Sequence, residues 1–328
     1  MSATWQTQRE RGTVFSLKLI AWLALTLGRP AGRLLLYPIC VYFMIFSRGG
    51  RRASRQYLTR VLGRRATLLQ VFQHHYTFAA TLLDRAFLFA GRYQMFDLKK
   101  HGLETILPLI ASKRGILLLG AHVGSFDLVR FSGEMTCGTI VNMMMYEDNA
   151  HKVNTVIASL GGKEHMRVIP IGGIDALLRT QDCVEQGEMI GILADRVVAN
   201  DRTVRVPFLG KDAMFPAGPI LLAHALKIPV VLFFGIYKGG NRYEEHFELF
   251  ASEINLGRAS RQAELETWVQ RYAARLEHYC HLAPYNWFNF FDFWAQDPGR
   301  STRRPCGPRS CLHTRPDEVE SSVRRAAT

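Results

Sequence analysis

Between residues 103 and 250 the hydrophobic pattern changes period repeatedly. Five short runs, GILLLGA at 115–121, TIVNMMMY at 139–146, RVIPI at 167–171, MIGILAD at 189–195 and PVVLFFGIY at 229–237, are apolar at nearly every position. That is the pattern of strands buried on both faces. The stretches 103–111, 125–135, 149–160, 174–185 and 219–226 instead carry apolar residues at helical spacing. Strands alternating with helices in this way predict an α/β protein with a mainly parallel sheet flanked by helices, whose ligands lie beyond the carboxyl ends of the strands. A further helical pattern covers 68–90. From 260 to 281, Leu265, Trp268, Val269, Tyr272, Leu276 and Tyr279 mark one face of an amphipathic helix.

The first 65 residues read differently. Two apolar runs, LIAWLALTL at 19–27 and LLLYPICVYFMIF at 34–46, are embedded in 12 Lys/Arg against one acid, Glu10, and this segment holds +11 of the chain's net charge of +13. The stretch from residue 299 to the end adds +4, so residues 66–298 carry only −2. A nearly neutral body with basic residues interleaved among apolar runs points to an anionic membrane surface as partner and away from nucleic acid. The second run spans about 20 Å as a helix against a hydrocarbon core of about 30 Å, and Pro38 interrupts it. Monotopic insertion from the cytoplasmic side is expected, with one shallow span or a pair of buried core helices as alternatives. No small-residue cleavage site follows 19–27, which argues against secretion. The basic segment 47–66 is expected at headgroup level or as a solvated helix face. Three regions follow: membrane-associating helices at 1–65, a folded body at 66–298 and a disordered Arg/Pro/Ser-rich tail at 299–328.

The six cysteines, Cys40, Cys137, Cys183, Cys280, Cys306 and Cys311, form no CxxC, and three lie in apolar stretches, as expected of buried thiols in a reducing compartment. His74 and His75 are adjacent on one helix and point about 100° apart, which makes them poor joint metal ligands. No metal and no cofactor is expected.

The chemistry is expected where the first buried strand ends, in LLLGAHVGSFDLVR at 117–130. On an unbroken helix His122 and Asp127 would point about 140° apart, so a helix must begin between them. Gly124 permits the turn, Ser125 is a good N-cap, and Asp127 falls in the first turn. In that arrangement Asp127 can reach back to one imidazole nitrogen and leave the other as a base. The competing reading has Ser125 and Asp127 merely capping a helix beside a core histidine.

The HxxxxD pattern at His122 and Asp127 resembles that of the acyltransferase superfamily containing glycerol-phosphate acyltransferases and the bacterial lipid A biosynthesis (lauroyl/myristoyl) acyltransferases. ILADRVV at 192–198 and VRVPFLGKDAMFPAGPILLAHALKIPVVLFFGIY at 204–237 look like the second branch's charged motif, VPFxG segment and following helix and strand. The likeness covers roughly residues 5–295, including the N-terminal apolar and basic segment. It implies acyl transfer from an acyl carrier protein thioester to a hydroxyl of a lipid or glycolipid at the cytoplasmic face of a bacterial inner membrane. His122 would be the general base and Asp127 its orienting acid, with backbone amides after Gly124, at Ser125 and beyond, stabilising the oxyanion. Asp195 and Arg196 match the second charged motif, where Arg196 would bind a phosphate or carboxylate, and Arg205 is a further candidate for that role. Two features depart from the branch. The segment YEDNAHK at 146–152 offers only Asn149 and Lys152 where a basic motif is usual, and the aromatic ending PYNWFNFFDFW at 284–294 lacks paired arginines. That ending, an acyl-holding lid or core packing, looks more like acyltransferases of aryl polyene or related lipid clusters, and it leaves the acceptor open.

Other enzyme classes lack their signatures: there is no G-x-S-x-G elbow, no phosphate-binding G-x-x-x-x-G-K-[ST] and no G-x-G-x-x-G after a strand. The rival reading is a non-catalytic basic protein that binds membranes or nucleic acid.

Overall fold

The computed structural model describes residues 22, 24–145, 167–171, 174–197 and 201–295. Two helices come first, α1 (Arg29–Phe46) and α2 (Arg48–Val61), bent by 97° at their junction, followed by α3 (Leu68–Phe89). Then come β1 (Asp97–His101), α4 (Leu103–Ala111), β2 (Ile116–Gly120), α5 (Phe126–Cys137), β3 (Val141–Met145) and β4 (Val168–Pro170). After α6 (Ile174–Glu185) and β5 (Met189–Leu193) the chain forms the hairpin β6 (Thr203–Phe208) and β7 (Lys211–Pro216). It ends with α7 (Gly218–Leu226), β8 (Val230–Tyr237), β9 (Arg242–Ala251) and α8 (Arg261–Leu282).

The five apolar runs are β2, β3, β4, β5 and β8, which run parallel to one another in a seven-stranded sheet of order β1-β9-β8-β2-β5-β3-β4. All five residues of β2 are buried because the sheet is covered on both sides. Leu117 and Leu119 join Ile190, Val230 and Leu232 beneath Leu265, Val269 and Leu276 of α8. Ile116 and Leu118 pack on the opposite face with Val231, Phe233, Ile106 of α4 and Val129 of α5. Each such side chain contributes about 1.5–3 kcal/mol by leaving water. Two sheet strands were not expected from the pattern. β9 runs antiparallel to β8 and carries β1 parallel at the sheet's edge. Arg242, Glu244, Glu245, His246 and Glu248 are spread through β9, so it lacks the continuous apolar run that marks the others.

Helix α3 begins with a capping box: Thr67 Oγ1 accepts from Gln70 N, and Gln70 Oε1 accepts from Thr67 N. Such caps stabilise a helix start by about 1 kcal/mol. The helices expected at 68–90, 103–111, 125–135, 174–185, 219–226 and 260–281 are all present within two residues of those bounds. The helix expected at 149–160 and the tail at 299–328 lie outside the described residues.

Several N-terminal cations are engaged with the fold. Arg29 and Arg33 of α1 clamp the buried Asp84 of α3: Arg29 Nε donates to Oδ1 at 2.7 Å, and Arg33 Nη2 donates to Oδ2 at 2.7 Å. Tyr243 Oη donates to the same carboxylate at 2.6 Å. Arg55 donates to Ala66 O, and Arg60 lies over the Trp294 ring, so these cations too are engaged with the fold. Tyr57 and Leu58 of α2 are fully buried in the same cluster as β2 and α8. Arg48, Arg52, Arg64 and Arg65 remain exposed. Helix α1 buries Leu36 and Cys40 but exposes Leu34, Tyr37, Val41, Ile45 and Phe46. Among the described residues no single helix is long and apolar enough to cross a membrane.

Candidate active site

Strands β2 and β5 are parallel neighbours in a register that places Gly120 opposite Leu193. Their carboxyl ends therefore deliver His122 and Asp195 to the same point, although 73 residues separate them in sequence. His122 Nδ1 lies 2.7 Å from Asp195 Oδ1, and Asp195 Oδ2 accepts from His122 N at 3.1 Å and from Trp287 Nε1 at 2.8 Å. An aspartate oxygen can only accept here, so the imidazole carries its proton on Nδ1 and leaves Nε2 with a lone pair.

The loop holding His122 is fixed from both sides. Gly120 O accepts from Tyr272 Oη at 2.7 Å and from Ala194 N at 2.9 Å. Gly124 has φ +61°, and a Cβ there would stand 1.9 Å from Gly235 O, so only glycine permits this approach to β8. On the other side the segment after α8 runs extended beside the loop: Gly124 N donates to Asn286 O and Phe288 N to His122 O, each at 2.8 Å. The aromatic ending is thus not helical until Phe293. Trp287, Phe293 and Trp294 are core residues, and Trp287 also reaches the Asp195 carboxylate. His74, fully buried, supports this segment: Nε2 donates to Trp287 O and Nδ1 accepts from Ser54 Oγ, each at 2.8 Å. Burial first, then the neighbouring His75, pushes the His74 pKa down to about 3. His75 turns to Val71 O, and the two rings have separate partners, as their expected divergence requires.

The site's charges follow from burial and pairing. Burial alone would raise the Asp195 pKa, but His122, Arg196 and the Trp287 hydrogen bond overcome it and hold the carboxyl down at about 2. The His122 pKa lies below its ordinary value because burial and then Arg196 disfavour the imidazolium more than Asp195 favours it. The ring is neutral at neutral pH, and 26% of its side-chain surface remains open. Arg196 sits beside it, with Nη2 donating to Phe288 O at 3.3 Å and the guanidinium 5.9 Å from the centre of the Phe291 ring.

Several expected roles change. A helix does start between His122 and Asp127, at Phe126, with Ser125 Oγ accepting from Leu128 N at 3.3 Å. Asp127 does not reach back to the imidazole. Its side chain turns to α3, where Arg85 Nε lies 2.6 Å from Oδ2, with the guanidinium 5.3 Å from the centres of the Phe89 and Phe126 rings. The first turn directs the carboxylate off the helix flank toward a permanent cation, and Asp195 takes the orienting position instead. Nor are the first two amides of this loop open to an oxyanion: Gly124 N is bonded to Asn286 O and Ser125 N to Gly235 O. Gly124 and Ser125 therefore build the turn. Arg205 occupies an exposed position of β6, opposite Met214, while Val204 and Val206 point inward. Asn149 and Lys152 lie outside the described residues. Sequence reasoning missed Trp287, Asn286 and His74, whose roles come from pairings 92 to 213 residues apart that no local spacing encodes.

The chain was also compared with known proteins. The profile of a family described as bacterial lipid A biosynthesis acyltransferase matches residues 4–295, a span that takes in both charged motifs, the hairpin and the aromatic ending. A comparison with curated proteins gives no match.

Proposed function

The chain belongs to the bacterial lipid A biosynthesis acyltransferase family, and from that premise we propose that it transfers an acyl chain from an acyl carrier protein thioester to a hydroxyl of a lipid or glycolipid. His122 Nε2 takes the hydroxyl proton as the oxygen attacks the thioester carbonyl. The tetrahedral adduct then collapses to the ester and expels the thiolate, which receives the proton from the imidazolium. No acyl-enzyme is required, since donor and acceptor react directly once held together. Asp195 is a positioning residue that fixes the ring and stabilises the transient imidazolium. Arg196 supplies the fixed positive charge nearest the base, suited by its planar fork to a phosphate or carboxylate of either substrate.

The observation carrying this reading is the 2.7 Å contact between His122 Nδ1 and Asp195 Oδ1, which leaves the opposite nitrogen to a substrate. The N-terminal helices favour work at the cytoplasmic face of the inner membrane. The exposed apolar face of α1, with Arg48 and Arg52 at the start of α2, has the composition of a surface that enters the headgroup region. Because carrier proteins are acidic, Arg205, Arg64 and Arg65 offer exposed positive charge for docking one.

The test is an assay of the purified chain with acyl carrier protein thioesters and bacterial lipid extract, read by mass spectrometry of the lipid product. His122→Ala is expected to lower the rate on the order of 10²- to 10⁴-fold in a folded protein. Turnover within threefold of wild type would sink the assignment.

A further inference from the structure

A second cluster of ligating side chains lies on the sheet's outer strands, apart from the His122–Asp195 pair. Strand β1 is held at the edge by β9 alone, in a register that sets His101 opposite His246 and Lys99 opposite Glu244. Glu244 and His246, two residues apart on β9, share one face of the sheet. The two imidazoles are stacked with centroids 4.6 Å apart and planes inclined by 11°. Both Nε2 atoms are buried and lack a hydrogen-bond partner. His246 Nε2 stands 3.8 Å from Glu244 Oε2, too far for a hydrogen bond. One ligand atom from each of the three residues lies within 4.8 Å of the other two.

A buried polar nitrogen without a partner is costly, and two of them on stacked rings whose ligand atoms cluster with a carboxylate are better explained by a shared ligand than by packing. We propose that His101, Glu244 and His246 bind a divalent transition-metal ion of the zinc type, which clips edge strand β1 to β9. Two imidazoles and one carboxylate suit Zn²⁺ and disfavour Mg²⁺ or Ca²⁺, which take oxygen ligands. Three protein ligands leave a fourth position to water. An ion about 2.1 Å from each atom places tetrahedral ligands about 3.4 Å apart, so the side chains must close slightly and the rings must tilt out of their stack. Burial and then His101 keep His246 below its ordinary pKa, which favours the neutral, metal-binding ring. Lys238 Nζ, 3.4 Å from Glu244 Oε2, is the resident cation that the ion must displace.

The test uses the full chain carrying Cys306→Ser and Cys311→Ser, because those thiols with His313 offer a rival ligand set in the sequence. After chelator treatment and dialysis the protein is titrated with Co²⁺, followed by its visible ligand-field absorption, and the bound ion is then displaced with Zn²⁺. One equivalent is expected, with the spectrum of a four-coordinate nitrogen and oxygen site. His101→Gln and His246→Gln should each weaken binding by about tenfold or more. Lys238→Met, which leaves the ligands intact, should tighten it. The control is His278→Gln with His281→Gln on α8, where His281 Nε2 is 3.9 Å from Glu277 Oε1. The proposal is overturned by no binding, by binding that survives loss of His101 or His246, or by binding abolished in the α8 control.

Discussion

Two buried aspartates serve two regions of the molecule in contrasting ways. Asp195, at the carboxyl end of β5, is held by a histidine ring, a backbone amide and an indole N–H. Asp84, on α3, is held by Arg29, Arg33 and a tyrosine hydroxyl. Both carboxylates are almost fully buried, but their partners differ in kind. Arginine keeps its charge at every accessible pH, so the Asp84 cluster is a fixed fastener joining α1 to α3 and β9. Histidine can give and take a proton, and His122 keeps part of its ring open, so in the proposed mechanism the same carboxylate chemistry serves to move a proton. The titratability and exposure of the partner separate the working end of the sheet from the structural one.

Breaking the fastener should have the largest effect on stability. Asp84→Ala leaves two half-buried guanidinium groups and the buried Tyr243 hydroxyl without their carboxylate and is expected to destabilise the chain by about 1–3 kcal/mol, measured by urea denaturation. The remaining folded molecules should retain acyl transfer, since Asp84 is not bonded to His122. A stability change below about 1 kcal/mol would mean that α1 is not held by this cluster.

A smaller effect separates Arg196 from Asp195. As the proposed base His122 acts in its neutral form, and Arg196 helps to hold its pKa down. Arg196→Gln removes a positive charge, so the His122 pKa should rise toward 6.5 and the acid limb of the rate profile should move to higher pH. An unchanged or oppositely shifted limb would show that the guanidinium does not act on the base. Smallest in stability terms is the exposed face of α1. Replacing Leu34, Val41 and Ile45 with serine should change unfolding free energy by at most about 0.5 kcal/mol per site, yet release the protein from anionic vesicles in sedimentation. Undiminished vesicle binding would place the membrane contact elsewhere.

These contrasts also explain what the sequence made legible. Strands β2, β5 and β8 declare themselves because burial on both faces removes polar residues from the run. Strand β9 hides because Glu244, Glu245, His246 and Glu248 break up its apolar positions. His122 was legible through its motif and its place at a strand end. Its partner was not, because local spacing points to Asp127, five residues on, whereas strand pairing supplies Asp195. The arginines of the first 65 residues look alike in sequence. Arg29 and Arg33 turn inward to an acid at position 84, more than 50 residues away, which their own surroundings in sequence do not announce.

In the proposed mechanism Asp195, and not Asp127, sets the tautomer of the base. Single-turnover rates of acyl transfer for Asp195→Asn and Asp127→Asn, each verified as folded, test it most directly. An amide at position 195 can offer its NH₂ to Nδ1, which moves the ring proton to Nε2 and removes the lone pair that accepts the hydroxyl proton. Asp195→Asn is therefore expected to lose on the order of 10²-fold or more, and Asp127→Asn less than about tenfold. A folded Asp127→Asn protein that loses more activity than Asp195→Asn would show that Asp127, not Asp195, orients the base.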